Sequence, residues 1–208
     1  MTRPSLPTQV HPSPPIAGDA SQFRRRGEDL AQNVRRAARR FATGVTIAAV
    51  RHGEGTHALT ANSFVTLSLE PALIGIAVHR EGRMRHYIEQ AGCFGVSILS
   101  GGQQHYAQHY ARRDRTGQSQ QPAMTVLDTD PAVPLVPGCV AYFVCGLQHI
   151  YAVGDHDLMV GAVVECGTSL KDHAPLVFLD GEFRASPSLA AAAAGRAQEH
   201  DRPEGSTQ

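Results

Sequence analysis

Nowhere does this sequence run for the roughly 20 apolar residues needed to cross a bilayer, and its Pro-rich start lacks the apolar core of a secretory signal. The cytoplasm is therefore the expected location. An excess of one charge is also missing: 19 Lys plus Arg face 19 Asp plus Glu, so no net field selects nucleic acid or an acidic membrane face. The four cysteines, Cys93, Cys139, Cys145 and Cys166, contain no Cys-x-x-Cys pair. Three of them fall in apolar, strand-like runs, so they are expected as small buried hydrophobes, not as disulfides or zinc ligands. No triad-like or paired-carboxylate motif occurs, and no internal repeat is visible.

What is present suits one domain. In 208 residues, 42% are apolar, enough for one substantial core. Residues 1–26 carry Pro4, Pro7, Pro12, Pro14 and Pro15 with almost no large apolar side chains. Such a segment cannot offset the entropy of ordering and is expected as a disordered tail. Residues 186–208, Ala-rich and then polar, are expected as a second tail, which leaves a domain over 27–185.

Within it, Leu30, Val34, Ala37, Ala38 and Phe41 recur at spacings of three and four between arginines, which predicts an amphipathic helix ending before Thr43-Gly44. Short β-branched or alternating runs predict strands over 45–50, 63–69, 73–78 and 94–99, with 51–57 as a turn. Helices are predicted over 82–90, stopped near Gly92, and over 103–112. A polar loop spans 113–122. The remainder reads as strands over 139–151, 157–166 and 176–179, and Asp180-Gly181 turns residues 182–184 back on the last of these. Many strands, few helices and short turns predict a mainly β domain, a barrel or sandwich and not a doubly wound sheet.

Five short patterns invite chemistry. Gly53-x-Gly55-x-x-Ala58 imitates a dinucleotide fingerprint, but a strand follows where a helix N-terminus is required, so a hairpin turn is the better reading. His105 and His109 have the i,i+4 spacing of a metal pair, yet no third ligand is evident and a solvated helix face explains them. Thr60-Ala61-Asn62-Ser63-Phe64 interrupts a run that then becomes regular strand, either as a plain bulge or as an edge offering amides and short side chains to a flat ligand. Gly154-Asp155-His156 is a hairpin turn carrying an unexplained imidazole at its tip. In His79-Arg80-Glu81-Gly82-Arg83 a buried strand ends, a helix begins, and arginines stand where a phosphate could bind.

The order of the pieces is more specific than any one. Phe41-Ala42-Thr43-Gly44-Val45-Thr46, then Thr60 to Phe64 with Ser68-Leu69-Glu70-Pro71, then Phe94 to Ser100, then Gly154-Asp155-His156 and Pro175-Leu176 together resemble the flavin reductase family, the reductase components of two-component flavin monooxygenases. The resemblance implies an FMN-binding split barrel, a Greek-key antiparallel β-barrel with a few peripheral α-helices, working as a homodimer. It implies FMN or FAD as flavin, NADH or NADPH as donor, and a monooxygenase that receives reduced flavin. It places Thr60, Ala61, Asn62, Ser63, Phe64 and Thr66 along the flavin ring and ribityl chain, with Thr43 and Thr46 beside them. It puts His79, Arg80 and Arg83 near the phosphate. Gly154, Asp155 and His156 fall on the nicotinamide side, with His156 as the catalytic histidine. Ser97 stands where the family often has asparagine, and Thr116-Gly117 where a phenylalanine is common. The residues leave two other classes open: a non-catalytic flavin or haem carrier, and a flavoprotein with permanently bound flavin acting on an organic substrate.

Overall fold

A computed structural model describes residues 29–53, 55–112, 121–127, 130–171 and 173–186. Both expected tails fall almost wholly outside the described residues. The chain divides into two compact units, Met1–Ala37 and Ala38–Gln208. In the first, Asp29 opens helix α1 (Leu30–Ala38) by accepting the Ala31 and Gln32 amides at 3.0 and 3.3 Å. A capping carboxylate satisfies amides that have no partner within the helix.

The second unit holds the strands. In chain order these are β1 (Thr43–Gly44), β2 (Thr46–His52), β3 (Gly55–Ala61), β4 (Val65–Leu69), β5 (Ala72–His79) and β6 (Cys93–Ile98). They continue with β7 (Thr125–Val126), β8 (Pro134–Leu135), β9 (Ala141–Val153), β10 (His156–Thr168), β11 (Leu176–Leu179) and β12 (Glu182–Ala185). Helices α2 (Arg83–Ala91) and α3 (Gln104–Ala111) follow β5 and β6. Seven strands form one sheet in the order β3-β2-β6-β9-β10-β5-β4, and every neighbouring pair is antiparallel. β1, β11 and β12 make a smaller antiparallel sheet. The mainly β, antiparallel fold anticipated from the sequence is the one observed: a split barrel with peripheral helices.

β2 explains why the core reads as a continuous apolar run. Ala48 and Val50 join a cluster with Ile74, Ile76, Phe94 and Met159, which Met84 and Ile88 of α2 close from one side. Ile47 and Ala49 point the other way, into a cluster with Leu99, Leu176, and Tyr106 and Tyr110 of α3. A strand buried on both faces loses the apolar-polar alternation. Left-handed backbone ends α2 at Gly92, φ 65°, and joins β11 to β12 at Asp180-Gly181, φ 55° and 89°.

Several boundaries differ from expectation. The turn expected over 51–57 is much tighter, because His52 already pairs with Gly55 and Gly53 takes φ 59° between them. The glycines that imitated a dinucleotide fingerprint thus make a hairpin. Strand periodicity gave no notice of β7 and β8, two residues each. The cysteines divide: Cys145 is buried, Cys93 and Cys139 half-buried, and Cys166 exposed. β10 is exposed on alternate residues at that end, which overturns the expectation that Cys166 is a core residue. Most of the loop expected at 113–122 lies outside the described residues, as does Thr116-Gly117.

Gly161 admits Phe94 into the first cluster, since a Cβ there would lie 2.6 Å from the Phe94 ring and 2.7 Å from Cys145 Cβ. Overpacking of this kind costs about 1–3 kcal/mol. Gly161→Ala is therefore expected to lower unfolding stability by about that amount, whereas Gly146→Ala, where a Cβ meets nothing within 4 Å, shifts it by less than about 0.5 kcal/mol. Urea denaturation of both variants checks the contrast.

Candidate functional site

The site is built where β3 gives way to β4. These two strands are the opposite edges of the seven-stranded sheet, yet only Asn62, Ser63 and Phe64 separate them in sequence. Ser63 makes the crossing: its Oγ donates to the Ala77 carbonyl at 3.1 Å and accepts the Ala77 amide at 3.0 Å. One hydroxyl thus serves both backbone groups of a β5 residue, as a neighbouring strand would. On the other side, Thr46 is almost fully buried and donates its hydroxyl to the Ala61 carbonyl at 2.8 Å, and Thr60 donates to the Ala107 carbonyl of α3 at 2.7 Å. Phe64 tucks inward, its ring 5.3 Å from that of Phe143. The polar turn is pinned at three points and leaves Asn62 exposed.

Strand alternation then sets a cleft on each face of β3. His57 and Leu59 face one, of about 420 Å³, completed by Val78, His79, Glu81, Gly82, Arg83 and Met84. Thr60 and Asn62 face the other, of about 220 Å³, with Val45, Ala111, Phe178 and Phe183. The phenylalanine pair there is a cross-strand pair, rings 5.3 Å apart. Thr43 pairs with Phe178 across β1 and β11, and its Oγ1 is buried with no hydrogen-bond partner among the described residues. Thr66, on β4, is exposed and pairs with Ile74.

At the end of β5 the remaining predicted residues converge. His79 and His156 are register partners on β5 and β10 with rings 5.4 Å apart, and the Arg80 amide donates to the Asp155 carbonyl at 3.0 Å. Gly154 turns β9 into β10 at φ 61°. The Asp155 carboxylate meets His156 Nδ1 at 2.7 Å, which leaves Nε2 as the ring nitrogen to meet a ligand. That bond holds the Asp155 carboxyl below its ordinary range.

The arginines divide sharply. Asp157, only 4% exposed, accepts Arg80 Nε at 3.0 Å and Arg85 Nε at 3.1 Å, and Arg85 also meets Glu89. Burial raises the Asp157 carboxyl, but the two guanidinium groups outweigh it and hold it below the usual carboxylate range. Arg80 is thereby committed to a structural pair. Arg83 lines the larger cleft and forms no ion pair or hydrogen bond among the described residues.

The structure therefore brings the predicted residues into two adjoining groups, Thr43 to Phe64 around the polar turn and His79 to Arg83 with Gly154 to His156 at the β5–β10 end. Sequence reasoning missed His57, Phe178 and Phe183. The Asp180-Gly181 turn sets the register that makes Phe178 and Phe183 partners, so that signal was present. Elsewhere, His105 is exposed and His109 half-buried, their rings against Tyr106 and Tyr110. Ser97, in the family's asparagine position, is buried and accepts the Val136 amide at 2.9 Å. No group of three potential metal ligands occurs among the described residues.

An antiparallel split barrel with a pinned polar turn between two clefts, an exposed Asn62 on that turn, Arg83 lining the larger cleft and His156 beside His79 offers polar groups and space of the kind a flavin and a nicotinamide use. The comparisons give the family. Residues 38–187 match the model of the flavin reductase like domain, and the chain belongs to that family. It is 35% identical over 145 residues to the reductase component of 4-hydroxyphenylacetate 3-monooxygenase from Thermus thermophilus, covering 70% of this chain and 89% of that one. It is 34% identical over 155 residues to an NADH-dependent flavin reductase from Rhodococcus, covering 73% and 84%. Among solved structures, the styrene monooxygenase flavin reductase from Pseudomonas putida S12 superposes with a TM-score of 0.69 at 31% identity, covering 74% of this chain and 97% of that one.

Removing the Ser63 hydroxyl leaves the Ala77 amide and carbonyl without their partner. Ser63→Ala is expected to cost about 1 kcal/mol of stability and, because the turn is released, to weaken flavin binding as well. Ser63→Thr keeps the hydroxyl and should lose less of both, as read by denaturation and by flavin fluorescence titration.

Proposed function

We propose that this chain is an NAD(P)H:flavin oxidoreductase that reduces FMN or FAD and passes the reduced flavin to a monooxygenase component. The observation that carries the proposal is the pinned turn from Thr60 to Phe64, with a cleft on each face of β3 and a histidine-arginine rim beside it, in a chain of the flavin reductase family. The names of the relatives support the donor and the destination: one is an NADH-dependent flavin reductase and another a monooxygenase reductase component.

The chemistry belongs to the two ligands: hydride passes from C4 of the dihydronicotinamide to N5 of the flavin, a solvent proton completes the reduced flavin, and NAD(P)⁺ leaves. The protein would hold the two rings in stacking contact and offer donors where negative charge develops. Backbone amides of Ala61 and Asn62 serve the flavin edge. Thr46 and Thr60 act indirectly, because their hydroxyls fix the backbone that presents those amides. Ser63 and Thr66 adjoin the ribityl chain, Thr43 flanks the smaller cleft, and Phe64 anchors the turn in the core. Phosphate charge falls to Arg83, since Arg80 is held by Asp157, with His79 beside it. His156, steadied by Asp155 on the Gly154 turn, donates from Nε2 to the nicotinamide carboxamide or its neighbouring phosphate.

The working domain is taken as residues 27–185, in the cytoplasm where reduced nicotinamide is supplied. A homodimer is part of the proposal. Edge strand β4 shows Val65, Leu67 and Leu69 to solvent, Leu69 at 85% exposure, and an apolar sheet edge of this kind favours pairing with another chain. Sedimentation equilibrium of the full chain reads the assembly directly.

The deciding assay follows NADH oxidation with added FMN or FAD; wild-type protein that leaves the nicotinamide absorbance unchanged with both flavins and both donors overturns the proposal. His156→Ala is expected to raise the KM for the nicotinamide donor about tenfold, a lost hydrogen bond to a charged or polar group, with flavin affinity nearly intact. Arg83→Ala should weaken FMN more than riboflavin, which has no phosphate, while equal effects on both flavins would remove that role.

A further inference from the structure

His156 is gripped from two sides, and only one grip is sheltered from water. Its ring bond to Asp155 joins side chains that are 43% and 80% exposed, and exposed pairs of this kind are worth little. The other grip runs through Arg80, which is bonded to both chain neighbours of His156: its amide donates to the Asp155 carbonyl at 3.0 Å, and its Nε donates to the Asp157 carboxylate at 3.0 Å. Arg80 thus straddles the histidine. His79, the residue before it, lies against the His156 ring at 5.4 Å.

Asp157 is the unexpected member. Its register partner Val78 and its neighbour on the same face of β10, Met159, both belong to the core cluster, so an apolar side chain would suit the position. Replacing a buried ion pair by well-packed apolar groups is often neutral or stabilising, so stability alone does not account for a carboxylate here. What a carboxylate adds is direction. Oδ1 takes Arg80 Nε while Oδ2 takes Nε of Arg85 on α2 at 3.1 Å. Arg85 fastens the carboxylate to α2, and Arg80 passes the constraint to the backbone on either side of His156.

We propose that Asp157 is a positioning residue, acting through Arg80 to set the His156 ring beside His79 for the nicotinamide donor. This rests on the reductase function proposed above for the role of His156. Asp157 meets no ligand in this scheme; its effect travels through Arg80 alone. The Thr60 to Phe64 turn is held by other bonds, to Ala61, Ala77 and Ala107, so flavin binding is independent of the clamp.

Steady-state kinetics of the full chain with NADH and added flavin tests the role. Asp157→Asn is expected to raise the KM for NADH about fivefold, within the range for residues that share one network, with kcat and flavin affinity changed less than about twofold. Arg80→Gln removes only the arm that reaches His156 and keeps the Arg85 pair. It should raise KM equally, and it stands in for Asp157→Asn should that variant fold poorly. Arg85→Gln removes the other arm and is expected to cost similar stability while KM moves less than about twofold. In a His156→Ala background, Arg80→Gln should add nothing further. Effects that multiply in that background, an equal KM rise in the Arg80 and Arg85 variants, or a matching loss of flavin affinity overturns the positioning role. Hydrogen exchange gives a reading free of turnover: in Asp157→Asn or Arg80→Gln the residue-80 amide should exchange about tenfold faster than in the wild type, and an unchanged rate overturns the clamp. Wild-type protein that oxidises no NADH, with the faster exchange still seen in the variants, would sink the reductase function and keep the clamp, so the two failures are distinguishable.

Discussion

A single hydroxyl carries the geometry on which everything else rests. Sheet order places β3 and β4 at opposite edges, while the chain allows three residues to pass between them. Such a crossing leaves β5 without a strand neighbour on its β4 side at Ala77, and an unpaired backbone amide and carbonyl are costly where water is partly excluded. Ser63 supplies both bonds with one side chain. The crossing therefore has a fixed position, and the alternation of β3 next to it fixes which residues face which cleft. His57 and Leu59 go to one side, Thr60 and Asn62 to the other.

Electrostatics then sorts residues that look equivalent on paper. Arg80, Arg83 and Arg85 lie within six positions, yet Asp157 takes two of them. A nearly buried carboxylate holding two guanidinium groups is a stable arrangement only when both stay, since removing either partner leaves charge in a poorly solvated place. Of the three, Arg83 is the one that forms no ion pair among the described residues. The same logic applies to His156. Its bond to Asp155 settles which nitrogen is occupied by the protein, and the register pairing with His79 sets the ring beside a residue that lines the larger cleft. His57, on one wall of that cleft, is backed by Tyr87 and, through it, by His52.

Much of the fold was legible because local rules and tertiary demand agree. Gly92 ends α2 in the left-handed conformation that its position after a helical run announces, and Asp180-Gly181 makes the turn its composition favours. The alternating and β-branched runs became strands, and the glycines at 53 and 55 made a hairpin because no helix follows them. The cysteines were harder. Cys166 sits in a run that reads as buried, yet alternate residues of β10 are exposed there and Cys166 is one of them. β7 and β8 were invisible, since two residues carry no periodicity.

What the sequence determined by itself was the class of fold and the identity of the polar turn, because both follow from short-range pattern: periods of two and 3.6, turn chemistry, and an interrupted strand. Only the tertiary structure decided which polar side chains are free to act. Thr46, Thr60 and Ser63 all carry hydroxyls that would suit a ligand, and all three are committed to backbone carbonyls of other elements. Arg80 and Arg83 are three residues apart and have opposite fates. Those outcomes depend on partners at separations such as 47 residues for Thr60 and 77 for Arg80, distances along the chain across which no local pattern carries information.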